Sequence, residues 1–466
     1  MTPVGPDDPR FIAAGLPRSG DPRWRVAPRH GTDGPTRHLP FVPPFVPSTG
    51  ARLRWLRRQT RLVLLADGFP GRLRDGHVIV HPLDGRYLLE ALLAEQTERP
   101  RRRLHEAIAR TADAVVRRAE PHGDALLMRY VDTASSMAAG QSHPSGLAQA
   151  YYAAALARAA AVVGDEELAR SADRFFGALL VPVEEGGVLY RTGPDVVPAM
   201  VPTRPRDLVL NGWLSSLVAI NAYAELRDSE PARRLFRASL RTLLRLLPSY
   251  DVPDLHLSRY GLTGAILLRL GLGAPSDGVR VSRLRVAVPG EGEYLLPSRT
   301  GSRWVARVYP QDAAVEVGPN GGETLVPRAR GLRAVAILSR APYPRPNRLR
   351  FHIRSPRQMS ITLTAHVGRY DPQTSATVDR SWVPLGSVEL ERGSSDVDLE
   401  LPYQEIAHFA YPTNFARGGP RSHVNTYHGT HIVRLRQLAE ISGLRELNEW
   451  ADRWLRYTKR WSRHPD

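Results

Sequence analysis

Residues 145–164 read SGLAQAYYAAALARAAAVVG and residues 165–180 read DEELARSADRFFGALL. In both stretches apolar side chains recur at i, i+3 and i+4, the period of a helix that buries one face. Asp165, directly after Gly164, is an N-cap signal, because a short carboxylate accepts from first-turn N–H groups that the helix leaves unpaired. Two helices joined by so short a loop pack antiparallel, as a helical hairpin.

The same period appears on both sides of this hairpin. DGRYLLEALLAEQ (84–96), RRRLHEAIARTADAVVRRAE (101–120), DLVLNGWLSSLVAINAYAELR (207–227) and EPARRLFRASLRTLLRLL (230–247) all carry it, and Pro231 falls near a first turn after Ser229. The run from 84 to 272 therefore reads as stacked hairpins, with spacings too uneven for a short regular repeat. From about residue 278 the pattern changes to alternating or β-branched runs, as in VRVSRLRVAVPG, NRLRFHIRS, QMSITLTAHVG and DVDLELP. About eight such runs predict a β-sandwich or barrel-like domain. Helical periodicity returns in THIVRLRQLAEISG and LRELNEWADRWLRYTKRW. The expected fold is thus α+β and multidomain: an incomplete α/α toroid of stacked hairpins with a β domain inserted. Its predicted limits are an extended Pro- and Gly-rich arm at 1–50, helical domain at 51–275, inserted β domain at 276–405, and the rest of the helical domain at 406–466.

Composition narrows the function. The 466 residues contain no cysteine, which excludes disulfides and thiolate metal sites. Lys and Arg total 64 against 47 Asp and Glu, giving a net charge of +17, and Lys459 is the only lysine. Arginine's planar fork pairs bidentately with carboxylates and sulfates. The excess reads either as a solvated basic surface or as a match to a polyanion. No zinc-finger spacing, RNP signature or aromatic–basic strand supports nucleic acid, so an acidic polysaccharide is the expected partner. No apolar run approaches the roughly 20 residues of a membrane span, and the N-terminus lacks a basic-then-apolar signal pattern. The expected location is cytoplasmic, with export left open should the true start lie elsewhere. No glycine-rich turn sits between a strand and a helix, so no dinucleotide or other cofactor is expected.

Three clusters carry candidate chemistry. LPSYDVPDLHLSRYG (247–261) holds Tyr250, His256, Arg259 and Tyr260. NFARGGPRSHVNTYHGTH (414–431) holds Asn414, Arg417, His423, Tyr427, His428 and His431. SSMAAGQSHPSGLAQAYY (135–152) offers Gln141 and His143 at a helix start. Plainer readings stand beside these. Tyr250 and Tyr151 fit amphipathic core positions, and small residues such as SSMAAG permit close helix packing. His428 and His431 lie three apart, yet no acidic partner accompanies them, so no metal site is expected.

Five of these segments, MAAGQ, VLNGWLSSL, LPSYD, NFAR and YHGTHI, followed by KRW, resemble the C-terminal helical domain of heparosan-type D-glucuronyl C5-epimerases. That family shows MAQGQ, VLNGF, LPLYD, NLAR and YHTTHI in the same order. The resemblance covers roughly residues 77–270 and 412–462; the family's β-region precedes the helical core, whereas here one lies within it. It implies removal and return of the C5 proton of glucuronate, giving iduronate, with an acid and a base on opposite faces of the ring. Positive or donor groups must then neutralise the carboxylate as the carbanion forms. The family uses tyrosines for this, with an arginine and a glutamate nearby, and a phenolate requires adjacent guanidinium groups.

Carried over position by position, the resemblance implies Tyr427, His256 and Arg259 as catalytic residues. Arg417, Asn211, Gln141, Tyr260, His428 and Tyr190 are the implied substrate-binding residues. His256 stands where the family has the tyrosine of Tyr-Asp-Leu-Arg-His. The family's Glu-Glu-Tyr-Pro-Thr is Ala199, Met200, Val201, Pro202 and Thr203 here, so a carboxylate and a phenol are missing. One account lets His256 act as base, its ordinary pKa near 6.5 suiting neutral pH, with Tyr260 or Tyr190 covering for the lost phenol. A second keeps the cleft without turnover, as a glycan-binding relative. A third is a uronate lyase, which begins with the same proton removal. Trp382 in the β-region could hold glycan, although that region serves equally as a structural wedge or an oligomerisation surface. The resemblance also suggests a homodimer.

Overall fold

The structure is a computed structural model. It describes residues 61–130, 143–296, 307–401 and 423–458, with strands at Pro3–Val4 and Phe415–Arg417. Short breaks fall at 66, 75–76, 80, 99, 101, 203–205, 207, 254–255, 273–277, 320, 329, 340–345 and 372–375. The expected arm at 1–50 lies outside the described residues except for Pro3–Val4, which pairs in parallel with Arg61–Leu65. The chain forms two compact units. One contains Met1–Pro202, Leu208–Leu247 and Ala416–Asp466; the other contains Thr203–Asp207 and Pro248–Phe415.

In the first unit, the described helices are α1 (Asp84–Glu98), α2 (Arg102–Arg118), α3 (Gly146–Val163), α4 (Glu166–Gly177), α5 (Leu210–Leu226), α6 (Glu230–Tyr250, whose last turn passes into the second unit), α7 (Thr426–Ser442) and α8 (Arg445–Thr458). Local chemistry sets their ends. Gly164 closes α3 with φ of 72°, and the Asp165 carboxylate accepts from the N–H groups of Glu167 (2.8 Å) and Leu168 (3.1 Å) to open α4. Helix α3 is buried on nearly every side, which its many alanines allow, and it packs against α1, α4 and α5. Helix α5 packs in turn on α7, and α7 on α8. The Trp213 indole N–H of α5 donates to Ser239 Oγ of α6 at 2.8 Å. Trp213, Trp454, Tyr152 and Phe175 are among the largest side chains fully buried in this core.

The two large sheets of the second unit hold eleven strands among its described residues, numbered here β1 (Thr263–Leu272), β2 (Arg280–Val288), β3 (Gly292–Leu295), β4 (Arg307–Val308), β5 (Ala313–Val317), β6 (Glu323–Pro327), β7 (Gly331–Ser339), β8 (Asn347–Ser355), β9 (Met359–Asp371), β10 (Ala376–Leu390) and β11 (Gly393–Leu401). One antiparallel sheet runs β4-β7-β1-β9-β10. The other runs β5-β6-β2-β8-β11, with β3 also paired to β2. Leu268, Leu270, Ile361 and Leu363 of the first sheet and Val281, Val286, Leu349 and Phe351 of the second share one apolar core, the arrangement of a sandwich. The barrel-like alternative is corrected, because among the described residues neither sheet closes on itself or on the other.

Residues 263–272, TGAILLRLGL, also depart from the helical reading. They form the central strand of the first sheet, paired with both β7 and β9. On the outer face of the second sheet, alternation puts Arg348 and Arg350 opposite Glu400 and Asp398. Arg348 Nε lies 2.6 Å from Asp398, and Arg350 Nε lies 3.0 Å from the same carboxylate. The short segment Thr203–Asp207 joins this unit through Arg206, whose buried guanidinium pairs with the buried carboxylate of Glu291.

Candidate functional site

Polar side chains collect inside the helical unit, near the starts of α1, α3, α5 and α7. The first two turns of α1 supply Arg86, Tyr87 and Glu90. Helix α3 supplies Tyr151 and Tyr152, α5 supplies Asn211 and Ser215, and α7 supplies Tyr427 and Arg434, which lie two turns apart on one face. Neighbouring helices in this set pack on one another.

Arg86 is buried, and its guanidinium is centred 4.0 Å from the Tyr151 ring and 5.2 Å from the Tyr87 ring. The same group pairs with Glu90 one turn along α1. The Ser215 hydroxyl of α5 is among the groups that favour the ionised form of Tyr151. Burial by itself raises a phenol's pKa. Here the charges of Arg434 and then Arg86, with a smaller contribution from the Ser215 hydroxyl, outweigh burial and bring Tyr151 below the ordinary phenol value. Tyr427 shows the opposite balance, since desolvation, reinforced by Tyr87, raises its pKa. Arg434 also donates from Nη1 to Gln437 Oε1 at 2.6 Å.

Two polar atoms of this cluster have no hydrogen-bond partner among the described residues, although both are buried: Arg86 Nε and Asn211 Oδ1. One is a donor and the other an acceptor. Buried groups of this kind are normally satisfied, so each retains the capacity for one further hydrogen bond.

Tyr152, next to the site, does structural work instead. Its hydroxyl donates to the Pro82 carbonyl and accepts from the Arg86 backbone N–H at 3.3 Å, fixing the entry of α1. Tyr130 stacks on His143 at 5.4 Å and meets the edge of His81 at 5.3 Å.

Comparison with known proteins bears on this helical unit. Residues 126–270 match the family model described as D-glucuronyl C5-epimerase C-terminus. That stretch belongs to the D-glucuronyl C5-epimerase family. A D-glucuronyl C5-epimerase of Caenorhabditis elegans is 28% identical over 186 residues, covering 36% of this chain and 29% of the relative. The chain therefore aligns with less than a third of that relative's length.

Met200 and Val201, which the resemblance sets against the family's carboxylate and phenol, lie within the matched stretch. Met200 packs on the first turn of α5, where a Cβ added at Gly212 would sit 2.5 Å from Met200 Sδ. Asn211 is the residue beside that glycine. Tyr190 is buried with its hydroxyl donating to the Val201 carbonyl at 3.4 Å.

His256, Arg259 and Tyr260 belong to the second unit. There Asp251–Val252 pairs with Leu257–Ser258 as a small hairpin, and His256 occupies its turn with φ of 51°. Arg259 is buried, and its N–H donates to the Tyr250 carbonyl at 2.7 Å. Arg417 lies on a short strand paired with His423–Asn425, and Gln141 lies outside the described residues. His428 and His431 are fully buried where α7 meets α8; His428 Nε2 is 2.9 Å from the Trp454 carbonyl, and both rings face Trp454. Among the described residues, no three His, Asp or Glu side chains gather as metal ligands. The Trp382 ring is faced by Arg269 at 4.1 Å and by His366 at 5.0 Å.

Sequence reasoning did not single out Arg86, Glu90, Ser215 or Arg434, and it read Tyr151 as core. One signal was present. Arg86, Leu89, Leu93 and Gln96 share one buried face of α1 at helical spacing, and a charge in that register is costly unless it is used or paired.

Proposed function

We propose that this chain is a C5-epimerase-like enzyme that converts glucuronate to iduronate units of an acidic polysaccharide. The observation that carries this reading is the buried cluster of phenols and guanidinium groups around Tyr151, with unsatisfied Arg86 Nε and Asn211 Oδ1 beside it. Epimerisation needs a base with lowered pKa, an acid that stays protonated, and cationic groups close to a developing carbanion. A donor at Arg86 and an acceptor at Asn211 suit a uronate, which offers a carboxylate and ring hydroxyls. Membership of residues 126–270 in the epimerase family supports the same chemistry. In this reading Tyr427 is the acid, and the successive pairs α1–α2, α3–α4, α5–α6 and α7–α8 are the hairpins of an incomplete α/α toroid.

A glycan-binding relative without turnover is the second reading, favoured by Met200 and Val201 at the positions of the family's carboxylate and phenol. Incubation with heparosan oligosaccharides in D₂O separates the two. Deuterium at C5 together with iduronate signals in the NMR spectrum supports epimerisation. Binding without exchange supports the second reading, and exchange with an unsaturated, ultraviolet-absorbing end would make the protein a lyase.

A further inference from the structure

The missing phenol at Val201 leaves the reaction one group short, and the helical unit contains a replacement from another element. We propose that Tyr151 is the residue that removes the C5 proton, standing in for the phenol that the family carries at the position of Val201. This rests on the epimerase reading above.

The geometry is that of a built site. Arg86 lies over the Tyr151 ring at 4.0 Å and pairs with Glu90 on the same helix, its buried Nε left without a partner among the described residues. The charged groups that act most on Tyr151 are Arg434 on α7 and Arg86 and Glu90 on α1, and the Tyr130 phenol also interacts with it. Glu90 opposes ionisation but is itself paired with Arg86, so cationic influence prevails. Tyr152, the adjacent residue, lacks this balance: its hydroxyl is committed to Pro82 and the Arg86 backbone, and burial raises its pKa far above the ordinary value. Two neighbouring phenols of α3 are thus pushed in opposite directions, and only Tyr151 is suited to accept a proton.

The step balances. The C5–H bond breaks, its proton passes to the Tyr151 phenolate oxygen, and the electron pair delocalises into the uronate carboxylate, where Arg86 stabilises it. Tyr427, kept protonated by desolvation, then gives its O–H proton to the opposite face of C5. Exchange with water restores Tyr151 to phenolate and Tyr427 to phenol. Environments that push two like groups apart in pKa are how a site distinguishes its acid from its base.

The test uses the full chain and heparosan oligosaccharides in D₂O. Tyr151→Phe should slow C5 deuterium incorporation by about 100-fold or more, within the usual range for loss of a general base. Oligosaccharide affinity should stay within about threefold, because the hydroxyl acts in the reaction rather than in binding. An independent readout is phenol ionisation followed by ultraviolet absorbance. Wild type should show one tyrosine ionising ahead of the rest, and Tyr151→Phe should lack it. Arg434→Gln should move that ionisation, and the low-pH limb of kcat/KM, to higher pH. That variant keeps the proposal testable should Tyr151→Phe fail to fold. An active wild type whose Tyr151→Phe variant exchanges at a similar rate overturns the assignment and leaves the epimerase reading standing. An Arg434→Gln profile superimposable on wild type also overturns the assignment alone. A wild type that exchanges no deuterium overturns both.

Discussion

The guanidinium carbon of Arg86 lies over the ring of Tyr151 at 4.0 Å while its Nη2 pairs with Glu90 on the same helix. One buried cation thus serves a phenol on one side and a carboxylate on the other. Arg86→Met should keep most of the stem's packing but leave Glu90 with an unpaired charge at the site. We expect a loss of about 1–3 kcal/mol in urea denaturation, the typical cost of stranding a partly buried polar partner. In an active enzyme the low-pH limb of kcat/KM should also move upward, because a cation favouring the Tyr151 phenolate is gone. An unchanged limb would show that Arg86 is only structural.

Tyr152→Phe isolates the neighbouring phenol. The change removes the hydroxyl that accepts from the Arg86 backbone N–H and donates to the Pro82 carbonyl, leaving both buried backbone groups short of a partner. Stability should fall by about 1–3 kcal/mol. A melting temperature equal to that of wild type would mean that α1 is positioned by other contacts.

Tyr427→Phe addresses the acid. With Tyr427 as proton donor, the variant should still wash deuterium into C5 on the Tyr151 face, yet form iduronate at least about 100-fold more slowly. Affinity for oligosaccharides should be nearly unchanged. Equal loss of wash-in and inversion would instead make Tyr427 part of the first step.

How legible this was depended on how local each determinant is. Asp165 announces a helix start from a single residue, and that cap forms as read, while Gly164 before it closes the preceding helix. Strict alternation in NRLRFHIRS likewise tells the inward Leu349, Phe351 and Ile353 from the outward arginines. TGAILLRLGL was not legible as a strand, because a short apolar run fits either period and its partners lie far along the chain at 331–339 and 359–371. The site divides in the same way. Asn211 and Tyr427 carry motif signals, whereas the surroundings of Tyr151 are assembled from α1, α5 and α7. No local pattern foretells that two arginines from opposite ends of the chain will flank a phenol that otherwise looks like core.

Arg206 and Glu291 supply a stability prediction for the β unit. Their side chains are 4% and 0% exposed, and the Arg206 N–H also donates to Glu291 at 3.3 Å. Removing one member of so buried a pair leaves an uncompensated charge, so Arg206→Met should cost about 3–5 kcal/mol. The double variant Arg206→Met with Glu291→Leu should recover much of that, since it removes both charges. Additive losses in the double variant, measured by denaturant titration, would mean that the pair is not coupled.

His428 predicts how stability depends on pH. In the unfolded chain its pKa is the ordinary 6.5; in the folded protein burial pushes it down to about 4, offset in part by the hydrogen bond to the Trp454 carbonyl. Between these values the unfolded chain holds the proton and the folded chain does not. Stability is therefore complete above about pH 6.5 and declines as pH falls toward 4. A single histidine of this kind loses about 2 kcal/mol by pH 5. His431 is shifted in the same direction by burial and by His428, and adds to the slope. Urea midpoints of wild type should thus drop between about pH 7.5 and pH 5, before most carboxylates titrate. His428→Gln will lower stability at both pH values, since it disturbs the packing against Trp454, but should flatten the dependence. The comparison turns on that slope: if the variant and wild type lose the same stability over this range, the acid sensitivity arises elsewhere and His428 is protonated without cost.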